Sequence, residues 1–73
     1  MLKIKDSVDL KELEKFGFKH EEMYDQWLFI KVGSVFPNVI IQQDRKVRHF
    51  GKWNKDIDFA LIKADLVEKV END

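Results

Sequence analysis

With 73 residues, no cysteine and a net charge of −1, the chain is sized for one small domain without disulfide staples or thiolate metal ligands. Its hydrophobic fraction of 44% and its balanced charged fraction of 37% suit a compact core and lack the high net charge of disordered chains. No run approaches the ~20 apolar residues of a membrane span, and MLKIKDSVDL holds no apolar run of signal-peptide length. A soluble cytoplasmic protein is therefore expected.

Leu2 and Ile4 alternate with lysines, the pattern of a short edge strand. The spacing then predicts a short helix over Leu10 to Phe16. Asp9 stands at its N-cap, with Glu12 placed to complete a capping box and Val8 and Leu13 at the staple positions. Gly17 supplies the left-handed stop, and Phe18 can fold back on Leu13. HEEMYD (20–25) matches neither a zinc nor a calcium pattern, so it reads as a solvated loop before the first central strand.

Trp27 to Val32 is rich in aromatic and β-branched residues and reads as a strand. Gly33-Ser34 signals a turn. Val35 to Gln42 reads as a second strand, with Pro37 confined to its start or to an edge. Gln43-Asp44 makes a tight turn into a third strand, Arg45 to Phe50. A second helix is expected over Asp56 to Ala64, with Ile57, Ala60, Leu61 and Ala64 as its buried stripe. The tail 66–70 either continues that helix or extends. LEKFGFK (13–19) and LIKADLVEK (61–69) echo one another, which suggests one chain-reversal device used twice. The expected fold is a single α+β domain over 1–73. It is a three-stranded antiparallel meander flanked by two short helices, in the order β-α-β-β-β-α.

Apolar residues on both registers of the predicted strands leave more sheet surface than two short helices cover. A partner protein or a homodimer is the expected solution. The charge pattern adds a location. Arg45 to Lys55 holds five of the thirteen Lys and Arg residues and no acid, so the rest of the chain is net acidic. With Val47 pointing to the core, Lys46 and Arg48 point outward. Arg45, Lys46, Arg48, Lys52 and Trp53 are therefore the candidate partner-binding residues. The arginines offer planar, bidentate contacts to carboxylate or phosphate, and Trp53 offers an apolar anchor. The competing readings are a charged strand protected against edge pairing and a Trp53 that closes the end of the core. Nucleic acid is the alternative partner, although a pI of 6.1 lies well below the ~9 usual for such domains. No nucleophile elbow, phosphate loop or metal motif is present. No catalytic residue, metal or cofactor is assigned.

Taken together, IKDSVDLKELEKFGFK, IIQQDRKVRHF and LIKADLVEKV resemble a loose group of small uncharacterised proteins of bacteriophages and prophages of Gram-positive bacteria. The resemblance covers both ends and the central hairpin. It implies a phage accessory protein acting in the host cytoplasm. Such proteins often bind and inhibit a host enzyme or defence complex, including nucleic-acid-guided nucleases of the CRISPR type. Function is thus expected to be non-enzymatic, by docking on the acidic surface of a host or phage protein.

Overall fold

The computed structural model of the chain describes residues 1–50 and 55–70. In chain order the elements are β1 (Leu2–Ile4), a 3-10 helix (Leu10–Phe16), β2 (Lys19–Glu21), β3 (Gln26–Phe29), β4 (Val39–Ile41), β5 (Val47–His49), α1 (Lys55–Lys63) and β6 (Val67–Lys69). The three-stranded meander is overturned. A four-stranded antiparallel sheet runs β2-β3-β4-β5, and a second sheet pairs β1 with β6. The extra strand, β2, falls in the segment expected to be a loop. The tail resolves as a strand because its register, Leu2 with Lys69 and Ile4 with Val67, gives the edge strand β1 a partner. The strand expected over 35–42 shrinks to Val39–Ile41.

The first helix follows its signals. Asp9 accepts from the Lys11 N–H at 3.0 Å, and Gly17 adopts φ 92° at the C-terminal stop. Half of the expected capping box is replaced, since the Glu12 carboxylate pairs with Lys15 at 2.6 Å. The Gly17 N–H donates to Glu14 and the Phe18 N–H to Leu13. The end of α1 repeats this pattern: Asp65, at φ 60°, donates to Ile62, and Leu66 donates to Leu61. The sequence echo is thus the same helix-ending motif twice, with aspartate in one copy where the other has glycine.

Cross-strand registers sort the side chains into two faces. His20, Trp27, Ile41 and Val47 form one row, and Lys19, Leu28, Ile40 and Arg48 form the adjacent row. Directly opposed residues share a face and neighbours along a strand do not. The first face is covered. Trp27, Val39, Ile41 and Val47 are buried with Ile4, Leu13, Phe18, Ile57 and Leu61. Burying each such side chain stabilises by about 1.5–3 kcal/mol before the entropy of ordering it. Among the described residues, the second face contributes nothing to that core. Leu28 and Ile40 are half-buried and lie outside the core cluster.

Arg45 joins the two sheets. It sits at φ 67° after the β4–β5 reversal, which its N–H closes on the Gln42 carbonyl at 2.9 Å. Hairpins usually give this left-handed place to glycine. Its carbonyl accepts from Ile4 at 2.8 Å, and an isolated bridge pairs Lys3 with Lys46 alongside. Its guanidinium donates to the Lys5 and Val8 carbonyls at 2.8 and 2.6 Å. The left-handed backbone costs roughly 1–2 kcal/mol. Two charge-assisted hydrogen bonds, each about 1.5–3 kcal/mol, exceed that.

Candidate interaction surface

Within the described part of the basic window, both arginines are engaged inside the chain. The Arg45 guanidinium donates to the Lys5 and Val8 main-chain carbonyls. Arg48 does lie on the uncovered face, but it makes a two-pronged pair with Asp44, Nη1 to Oδ1 at 2.9 Å and Nη2 to Oδ2 at 2.6 Å. The hydrogen bond from Arg48 is the main reason the Asp44 carboxyl is lowered to about 2, with the Lys46 N–H and the Arg48 and Lys46 charges assisting. Lys46 follows on β5's side of the turn, where its N–H donates to Asp44 at 3.1 Å. Lys52 and Trp53 lie outside the described residues. Asp44, one residue before the window, thus supplies the counter-charge that the window itself lacks.

The acidic segment 20–25 forms the β2–β3 reversal. Asp25, at φ 49°, holds it together. Its carboxylate meets His20 Nε2 at 2.7 Å and accepts from Gln43 Nε2 at 2.7 Å. These two hydrogen bonds, His20 first, lower the Asp25 carboxyl below its ordinary range. His20 also lies against Trp27, with ring centroids 4.9 Å apart. At the other edge of the covered face, His49 Nε2 meets the buried Asp58 at 2.8 Å and ties β5 to α1. The two histidines therefore serve separate structural pairs. Among the described residues, no group of three or more His, Asp or Glu side chains could hold a metal ion.

The surface most in need of an explanation is apolar. Between β3 and β4 the chain leaves the sheet and forms a protruding loop. Asn38 secures its neck: its Oδ1 accepts from Lys31 at 2.7 Å, its N–H donates to Phe29 and its carbonyl accepts from Phe50. A tight turn from Lys31 to Ser34, with Gly33 at φ 90°, shapes the tip. Val32, Val35 and Phe36 are 99%, 84% and 78% exposed, and Ile30 is half-exposed. Residues Ile30 to Asn38 carry a single charge, Lys31. A firmly held loop that offers three large apolar side chains to water is unusual for an isolated small domain.

Beside this loop lies a cleft of about 500 Å³, lined by Gly17, β2, Leu28, Ile30 and the 31–34 turn. Gly17 borders the cleft and packs tightly beneath it. A Cβ there would come within 3.2 Å of the Phe29 ring. A second hollow, about 620 Å³, lies where Met1 and Leu2 approach β5, with His49 and Asp58 in its wall. Phe59 and Ile62 form a smaller exposed apolar pair on the outer side of α1.

The exposed Val32, Val35 and Phe36 side chains beside the sheet belong to the 30–36 loop rather than to β3 and β4, whose Leu28 and Ile40 are half-buried. Val35 and Phe36, expected in a strand, lie in this loop instead, because Pro37 and the Asn38 amide end the strand pairing before it reaches them. No helix among the described residues is long and apolar enough to cross a membrane. Comparison of the chain with protein-family models, with curated proteins and with solved structures finds no match.

Proposed function

We propose that the chain is a non-catalytic protein–protein interaction module whose working surface is the uncovered face of the four-stranded sheet together with the 30–36 loop. One observation carries this reading: Val32, Val35 and Phe36 are held out in water by a loop whose neck is fixed by three Asn38 hydrogen bonds. Apolar surface exposed to water retains a driving force for association, and a hydrogen-bonded loop neck reduces the entropy lost on binding. The basic window is a weaker basis, since Arg45 and Arg48 are already engaged within the chain. The same engagement weighs against nucleic acid as the partner. The narrower reading, a phage-encoded inhibitor of a host defence complex, rests on the sequence resemblance alone.

Affinity capture from a host lysate with the wild type and a Val35→Ser/Phe36→Ser variant tests the module. Both side chains lie outside the core, so the variant keeps its melting temperature. The expected result is a near-stoichiometric protein retained by the wild type and lost by the variant. Identical captured proteins, or none from either, would overturn the reading.

A further inference from the structure

We propose that the cleft between β2 and the 31–34 turn receives an acidic segment of a partner protein. Apolar side chains of that segment would lie over Leu28 and Ile30, and its carboxylates would meet Lys19 and Lys31. This rests on the interaction-module reading and adds the chemistry of the partner. The floor of the cleft is apolar, and its volume of about 500 Å³ falls in the range of ~300–1,000 Å³ that holds compact ligand groups.

Its rim is cationic. Lys19 and Lys31 both line the cleft and are exposed. Ion pairs engage Lys3, Lys5, Lys15, His20, Arg48 and His49 among the described residues, whereas Lys19 and Lys31 take part in none. The single acid of the lining, Glu21, turns its carboxylate to the Tyr24 N–H at 3.0 Å. The cleft therefore combines unpaired positive charge with an apolar base, in a chain whose other regions carry the acidic excess.

That charge pattern chooses between two occupants. A second copy docked loop to loop would offer residues 30–38, which have Lys31 and no acid. Lysines would meet lysines across such an interface, and like charges placed together disfavour it. A segment with carboxylates flanking apolar residues satisfies both features. The apolar floor then supplies affinity, while the rim lysines supply selection and approach rate. Exposed charge pairs are individually weak, so the two together set a selectivity of about tenfold or somewhat more.

The test is selection from a random peptide library on the immobilised full chain, followed by titration of the enriched peptides. Enriched sequences are expected to carry Asp or Glu beside apolar residues. Their affinity should fall about tenfold for Lys19→Glu/Lys31→Glu, and that variant should itself enrich peptides with basic flanks. Lys19→Gln/Lys31→Gln should give an intermediate loss, with an unchanged melting temperature showing that both variants fold. Enrichment without acidic bias, no enrichment, or equal binding by wild type and charge-reversed variant would overturn the proposal. So would a dimer at about 100 µM in sedimentation that Phe36→Ser dissolves, since a second copy would then fill the surface. If the cleft fails while partner capture still depends on Val35 and Phe36, the module reading survives alone. If capture fails as well, both fall.

Discussion

The two faces of the four-stranded sheet are made from alternate residues of the same short strands, yet one is sealed and the other is left open. On the covered face, Trp27, Ile41 and Val47 continue into a core closed by Leu13, Phe18, Ile57 and Leu61. On the open face, Leu28 and Ile40 sit between Lys19 and Arg48, half-buried and outside the core cluster of the described residues. In a chain this small, apolar area is scarce and a domain that served only stability would place it inside. The contrast separates what holds the fold from what the fold presents.

The largest effects should fall on the covered side. Ile41→Ala removes a fully buried side chain and should cost about 2–5 kcal/mol. Ile40→Ala, one residue away on the open face, should cost less than about 1 kcal/mol. Urea unfolding of the pair measures the difference, and equal costs would mean that the open face is packed after all.

The two arginines make the same comparison with charge. Arg45→Ala strips hydrogen bonds from the Lys5 and Val8 carbonyls and should destabilise by about 2–3 kcal/mol. Arg48→Ala breaks a partly exposed pair with Asp44, and loss of that pair should cost less than about 1 kcal/mol. Reversed magnitudes in thermal unfolding would break the assignment of Arg45 as the joint between sheets.

Gly17→Ala comes next, at about 1 kcal/mol or more, because φ is 92° and the new Cβ would press on Phe29. The smallest effect is a pH dependence. Asp44 is lowered to about 2 from 3.8, so its contribution is present above pH 3.8 and is lost as pH falls through about 2. The carboxylate is 40% exposed, and solvent screening holds this contribution below about 1 kcal/mol. Acid unfolding of wild type and Arg48→Ala should converge within that window. A constant gap down to pH 2 would contradict the Asp44–Arg48 pairing.

Local signals were legible where physics is local. Asp9, Leu13, Gly17 and Phe18 announce a capped helix with a folded-back end, and Ile57 and Leu61 announce the buried stripe of α1. What stayed hidden depends on distant partners. Lys-His-Glu at β2 has no strand composition. It is a strand because Trp27 and Leu28 lie opposite it, and its charges suit an edge. Arg45 reads as a surface cation, and only the neighbouring carbonyls of Lys5 and Val8 show otherwise. The tail strand likewise needs β1 to exist. The candidate surface was half legible: surplus apolar residues on both strand registers were visible, whereas their concentration in the 30–36 loop followed from Pro37 and Asn38 ending the pairing early. Clustered charge pointed to the basic window because the counter-charge, Asp44, stands one residue outside it.

Hydrogen–deuterium exchange of the chain, free and bound to the protein it captures, tests the central claim most directly. The open-face account predicts new protection over residues 19–21 and 28–36, with little change over 44–49. Protection confined to 44–49 would contradict it and return the binding surface to the basic strand.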